Sequence, residues 1–358
     1  MKNFRFPALN SQPNQSQPNQ RNPLFALSCL FLTMVAGVGQ AVAQDVGFDA
    51  CAPASCSQAA NAAAPSPMLT NLGNVYPFRI YALAQYGTAG TPLRNRRTGA
   101  IRLSGVVPPV QEAYIYWAVI TLGPPPAAVG RIQVQRLAPP APTSANVTLN
   151  GVVVGVGVEP CPWAGNRITV YRALIPAAVA TGNGTYKITV LAGAVGLAGG
   201  ENPWAAAQVL PLWEGASIVM VGTGTQRVSI YDAGLAGNTF NADGGLAYQL
   251  AATVNAGDQL LFDEIGADGQ HGQGRIADPA VSAETTVVEG LPIAGPGSDY
   301  NDSDWNGGAG LPLPELWDDS GHHFAAPVST NFLRVGITNG AFGFGDCLTP
   351  VVNVLQQP

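Results

Sequence analysis

Six consecutive residues, Asp302-Ser303-Asp304-Trp305-Asn306-Gly307, set oxygen-bearing side chains at alternate positions and close on a glycine. Calcium asks for this pattern, because it takes six to eight hard oxygens at roughly 2.3–2.6 Å from a tightly turned loop. The run matches the first six positions of a D-x-[DN]-x-[DN]-G calcium loop, with Asp302, Asp304 and Asn306 as ligands. Beyond that it departs from an EF-hand. Position twelve is Leu313 instead of a bidentate glutamate, and Pro312 and Pro314 exclude the helix that would follow. A loop of another kind would draw its remaining oxygens from Asp299, Glu315, Asp318 or Asp319. The same residue types also build an Asx-rich surface turn, so ion binding and a plain turn are both open readings.

A second acidic stretch, Asp263-Glu264-Ile265-Gly266-Ala267-Asp268, follows the apolar run Leu260–Phe262 and so sits at a strand end. Paired carboxylates there could act on a glycan if about 5–9.5 Å apart; the alternative is turn and ion-pair duty. His322-His323 follow Asp318-Asp319. Adjacent strand residues point to opposite faces, so this cluster could hold zinc or copper only from a loop. Trp305 and Trp317 lie beside aspartate and glycine, a combination able to stack and clasp a sugar. Trp117, in the alternating run Tyr114-Ile115-Tyr116-Trp117, reads as core. Arg94, Arg96, Arg97 and Arg102 read as a solvated turn or as a dock for acidic surface. There is no G-x-S-x-G nucleophile elbow, and Gly193–Gly200 lacks the Lys-Ser/Thr of a phosphate cradle.

The compartment follows from residues 1–43. Lys2, Arg5 and Arg21 precede an apolar run from Leu24 to Val38, closed by Ala41-Val42-Ala43. That is the order of a secretory signal peptide, and a run of about 15 residues falls short of the ~20 a spanning helix needs. The reading is cleavage before Gln44, no transmembrane helix in the mature chain, and a secreted or cell-surface location with the periplasm as alternative. Four cysteines remain after cleavage: Cys51, Cys56, Cys161 and Cys347. An even count in an exported chain reads as disulfides, with Cys51–Cys56 and Cys161–Cys347 the favoured of three pairings. Residues 44–231 carry 11 basic and 6 acidic groups; residues 232–358 carry 2 basic and 16 acidic, a net of −14. Such an acidic half repels nucleic acid.

These residues need a scaffold. Glycines and prolines punctuate short β-branched and aromatic runs: Phe78–Tyr86, Ala113–Ile120, Ile132–Leu137, Ala145–Leu149, Arg167–Leu174 and Thr185–Leu191, then Ser217–Val221, Arg227–Tyr231, Ala247–Ala251, Gln259–Glu264, Phe332–Thr338 and Val351–Leu355. The pattern predicts an all-β protein of two β-sandwich, jelly-roll-like domains. The expected organisation is a signal peptide at 1–43, a loose lead-in at 44–75, one sandwich at 76–225 and an acidic one at 226–358. Asn150-Gly151 between Val147–Leu149 and Val152–Val154 predicts a hairpin. Alternation in Arg167–Arg172 puts Ile168, Val170 and Arg172 on one face and Thr169 and Tyr171 on the other. Short helical turns are expected at Ala177–Ala180 and Ala277–Ala283.

One further pattern is an order of segments. Ala113–Trp117, Asn146–Gly151, Tyr171-Arg172-Ala173 and Gly182–Tyr186 are followed by Trp213, Ser217–Val221, Val228–Asp232 and Asp346-Cys347-Leu348. This succession resembles a family of exported bacterial β-rich domains of undefined function, found in secreted and cell-surface proteins, often ahead of adhesin-like repeats. The resemblance implies a surface module and brings no catalytic residues with it. The expected function is therefore a non-enzymatic structural or adhesive role with calcium as a stabilising ion. The expected partners are envelope components, other surface proteins or glycans. The alternative is a carbohydrate-binding module or glycan hydrolase using the acidic loops at 263–268 and 299–319.

Overall fold

Branched and aromatic side chains at every second position have one stable use here, which is to fill the space between facing sheets. The computed structural model describes residues 68–94, 96–137, 146–158, 166–192, 210–232, 244–267, 285–295, 317–338 and 348–358. They contain eighteen strands and no α-helix. The described residues belong to one compact unit.

The nine-stranded sheet runs, in spatial order, β16 (Trp317–Ala325), β13 (Gln259–Ala267), β18 (Thr349–Gln357), β11 (Gln226–Tyr231), β2 (Arg79–Pro92), β10 (Leu212–Thr223), β4 (Glu112–Thr121), β8 (Arg167–Leu174) and β7 (Val152–Val158). The four-stranded sheet is β3 (Thr98–Leu103), β9 (Gly184–Val190), β5 (Arg131–Leu137) and β6 (Asn146–Asn150). The five-stranded sheet is β1 (Met68–Val75), β12 (Gly244–Val254), β17 (Thr330–Thr338), β14 (Thr285–Val288) and β15 (Leu291–Ala294). The fold is an all-β sandwich. All the strands expected above are present, and Ala177–Ala180 make one helical turn, with Val179 and Ala180 donating to the Pro176 carbonyl. Ala277–Ala283 lie outside the described residues. Met68–Val75, the end of the expected loose lead-in, pair in parallel with β12 and pack Leu72 and Val75 on its core.

Three cores result. In β4 the side chains alternate: Ala113, Ile115, Trp117 and Val119 enter a core with the four-stranded sheet, while Tyr114, Tyr116, Ala118 and Ile120 enter another. That other core is internal to the nine-stranded sheet, which bends until Trp317 on β16 reaches Gly90 on β2 and Gly215 on β10. The opposite face of β13 packs Leu260 and Phe262 against the five-stranded sheet. In β8, Ile168 and Val170 face the internal core and Tyr171 the other, as the alternation predicted. Trp117 is fully buried, stacked 5.3 Å from Tyr171 and 6.4 Å from Trp213.

The Asn150-Gly151 hairpin is not formed. β6 pairs with β5 and β7 pairs with β8, in different sheets, so the chain crosses the sandwich at this dipeptide. Two facts explain the difference. Gly151 is not among the positive-φ glycines, which a tight hairpin of this type requires. Its amide donates to the Gly130 carbonyl at 2.8 Å, and a Cβ on it would lie 2.5 Å from the Trp117 ring. Glycine is needed because backbone lies directly on the indole. Gly151→Ala should therefore lose about 1–3 kcal/mol of stability through overpacking, measured by chemical denaturation. An unchanged midpoint would mean that the corner has slack.

Candidate functional site

Four acidic residues, Asp263, Glu264, Asp318 and Asp319, lie where β13 and β16 pair. Asp263 lies opposite Gly321, and Asp319 lies opposite Ile265, so the two carboxyl groups are diagonal neighbours on one face. They come from the two stretches singled out above, 263–268 and 299–319. Their face is the internal core. Thr88 Oγ1 on β2 donates to Asp263 Oδ2 at 3.1 Å. Gly321 leaves the room: a Cβ there would sit 1.8 Å from Asp263 Oδ1. Asp319 is half-buried as a residue, but its Oδ2 is shielded from solvent. Burial first, and then the Asp263 charge, push the Asp319 carboxyl up to about 7, against the Ser217 and Thr88 hydroxyls that lower it. The Tyr86 hydroxyl beside them is driven well up by burial, then by Asp263 and Asp319.

An acid that keeps its proton near neutrality beside a second carboxyl has the electronic make-up of a general acid with a base. The geometry turns it inward. Asp263 is 6 % exposed, its oxygens closed in by Thr88 and Gly321. The arrangement can hold and release a proton, and it does not present two carboxylates across an open cleft.

Glu264, next along β13, points the opposite way and is 2 % exposed. Tyr248 donates to its Oε1 at 3.2 Å and Thr286 to its Oε2 at 2.7 Å, and Asn353 Nδ2 donates to the Tyr248 hydroxyl. This hydrogen-bonded group joins β12, β13, β14 and β18 inside the five-stranded sheet's core. The same alternation splits the histidine cluster. His322 and Asp318 lie on one face of β16 and are buried, whereas His323 is exposed and shares the other face with Asp319. The shared ion expected of a loop is lost because these residues form a strand. Among the described residues no group of three or more His, Cys, Asp or Glu gathers as a metal site needs.

Trp317 is likewise not a surface platform. It is fully buried, its Nε1 donates to Ser217 Oγ at 2.9 Å, and its ring occupies the space above Gly215 and Gly90. Arg94 is not solvated either. It is 1 % exposed and ion-paired with the fully buried Glu214 of β10, within the first half of the chain. The calcium-loop residues Asp299, Asp302, Asp304, Asn306 and Glu315, together with Trp305, Asp268, His271 and the cysteines Cys51, Cys56, Cys161 and Cys347, lie outside the described residues.

One cluster went unanticipated. Tyr81 donates to Glu112 Oε2 at 2.5 Å, Tyr114 donates to the same oxygen, and Arg79 Nε donates to the Tyr114 hydroxyl at 3.2 Å. Burial works to raise the Glu112 carboxyl, but the two phenols and Arg79 outweigh it and hold it below its ordinary value. Beside it, Arg172 lies over the Phe78 ring, 3.4 Å from its centroid, and pairs with Asp232. This pair ties β8 to the end of β11. The alternation that put Arg172 on the face of Ile168 and Val170 was its only sequence signal.

No family model matches the sequence, and no curated protein matches it. Among solved structures the chain is similar to BpGH86A, a β-porphyranase of glycoside hydrolase family 86 from the human gut bacterium Bacteroides plebeius. The identity is 11 % and the TM-score 0.21, over 72 % of this chain and 38 % of that one. At that TM-score the likeness carries no argument, and the β-sandwich rests on the chain's own sheets.

Proposed function

We propose that this chain is an exported, cell-surface β-sandwich module with a non-enzymatic structural or adhesive role, stabilised by calcium held in the 299–315 loop. The observation that carries the reading is the use made of the described acids. Asp263, Glu264 and Asp318 are buried in the cores, and Asp319 faces the internal one, so the scaffold spends these four carboxylates on internal order. The leader at 1–43 supports export, and Asp302, Asp304 and Asn306 supply the alternate hard oxygens an ion needs. Surface modules hold calcium at roughly 0.1–1 mM, so about 1 mM calcium should add about 0.4–1.4 kcal/mol by linkage. The test is a thermal melt with calcium and with chelator. A rise in melting temperature with calcium, absent in Asp302→Ala with Asp304→Ala, is expected; equal melts with and without calcium would remove the ion from the proposal. Fractionation of the producing cells checks the location, with the periplasm as the other compartment.

A second reading, glycan binding or hydrolysis, has one specific observation in its favour: Asp263 and Asp319, far apart in sequence, share a face. A glycan-array signal lost in Trp305→Ala would favour it, and turnover of any polysaccharide would overturn the non-enzymatic role.

A further inference from the structure

We propose that the outer face of the four-stranded sheet binds a linear anionic polysaccharide, a polymer with carboxylate or sulfate groups spaced along a chain of hydroxyls. Alternation defines the face. Ile101, Ile188, Ile132 and Leu149, one from each strand, point into the core, so the residues between them point to solvent. Register then lines those residues up. Thr98, Thr189, Gln133 and Thr148 form one row across all four strands, and Lys187 leads the next row beside Ala100. Arg102 stands one strand to one side of Lys187 and two residues along, about 8 Å away, and Arg131 one strand to the other side and four residues along, about 14 Å away. The three cations therefore run diagonally across β3, β9 and β5.

Arg102 and Arg131 are exposed and Lys187 is half-buried. None of the three forms an ion pair among the described residues. The four strands contain no aspartate and no glutamate. Among the described residues no hydrophobic core lies over this face.

Unpaired cations on a surface free of acids attract an anion, and the groups between them say which kind. Hydroxyls and carboxamides fill the intervals, so they suit a ligand that carries hydrogen-bonding groups between its charges. A nucleic acid strand has a charge about every 3.4 Å, several times denser than this diagonal. An anionic membrane surface is met by about four to eight clustered basic residues, and here three are spread out. The one aromatic residue of the four strands, Tyr186, points into the core, so a neutral sugar has no ring to stack on and charge decides the ligand. The proposal supplies a ligand for the adhesive role and rests on that reading only for the compartment. The calcium melt and the fractionation test that reading without involving this face.

The experiment is biolayer interferometry of the purified chain on immobilised polygalacturonate, dextran sulfate and neutral dextran, with chelator present so that calcium plays no part. Salt-sensitive binding to an anionic polymer and none to dextran is expected, and the preferred polymer tells carboxylate from sulfate. Arg102→Gln with Lys187→Gln and Arg131→Gln should weaken binding about tenfold at an unchanged melting temperature. Gln133→Ala with Thr148→Ala, which leaves the charge alone, should weaken it as well. Arg334→Gln, which removes an exposed cation from the five-stranded sheet beside Glu289, should not. Lys187 gives a reading that needs no variant. The chain's other lysine is Lys2, so bound polymer should slow acylation of the Lys187 amine, followed by mass spectrometry. No binding to either anionic polymer, equal binding to dextran, an unaffected triple or double variant, or an unprotected Lys187 would each overturn the proposal. So would tighter binding to single-stranded DNA or to phosphatidylglycerol vesicles than to both polymers, or self-association through the acidic residues 232–358 that the triple variant abolishes.

Discussion

Trp317→Ala lowers stability by about 3–5 kcal/mol, the range for a fully buried large aromatic. The size of the loss follows from what surrounds the ring. Its neighbours at Gly90 and Gly215 are backbone, where a Cβ on Gly215 would meet the indole at 2.3 Å. Strand backbone held in a ladder on both sides cannot sink into the vacated space, so the cavity persists. The hydrogen bond from Nε1 to Ser217 Oγ is lost as well, which adds about 1 kcal/mol. Denaturant midpoints measure the effect, and a double-mutant cycle identifies its origin. Gly215→Val alone should destabilise, because its side chain collides with the ring. Added to Trp317→Ala it should recover part of the loss by filling the hole. The rival picture, an exposed sugar platform, expects the opposite: stability nearly intact and glycan binding gone.

That tryptophan also marks how far the sequence could be read. The strands β4, β8, β10 and β13 were legible because both faces are covered, so they stand out in the primary structure as short, mostly apolar runs. β16 was hidden. Trp317–Ala325 reads as polar loop because it carries two aspartates, two histidines and a glycine, yet it pairs with β13 and buries Trp317, Asp318 and His322 while His323 stays exposed. Gly151 misled for a related reason. Asn-Gly is the residue pair of a tight turn, but this glycine is present to let backbone rest on Trp117, a contact set by tertiary packing. Arg94 could not be placed because its partner, Glu214, lies on a strand that meets it only after folding. The acidic stretches were recognised as unusual, but their meeting depends on the β13–β16 register, which brings Asp263 against Gly321. No local pattern specifies that register. The one local clue is Gly321, whose missing side chain is where the Asp263 carboxyl sits.

Asp319 should make the stability of the fold fall as pH rises. Its carboxyl stands near 7 in the folded chain against 3.8 for the ordinary value, from burial first and from Asp263 second. A folded-state value raised above the unfolded one means that ionisation favours unfolding. The protonated acid is no burden to the folded state below about pH 4. Between about 4 and 7 the unfolded chain ionises while the folded one holds its proton, and stability declines; above 7 the decline stops. A gap of about 3 pH units corresponds to at most about 4 kcal/mol, and because the residue is half-buried about 2–4 kcal/mol is expected. The groups facing it are Asp263, Tyr86, Thr88 and Ser217. Of these, Asp263 is the only other carboxyl, and its charge is what the ionised Asp319 would oppose. Asp319→Asn replaces the acid with a neutral side chain of the same shape. The variant should match the wild-type chain at about pH 4 and below and exceed it at pH 8, so the two curves of unfolding free energy against pH diverge between about pH 4 and 7. Parallel curves would move the protonation elsewhere. Loss of stability in the variant at both ends would mean that Asp319 is ionised and held by its hydroxyl neighbours. The expected outcome assigns the pair a structural role in the internal core: the proton on Asp319 spares the β13–β16 pairing the repulsion of two ionised carboxylates.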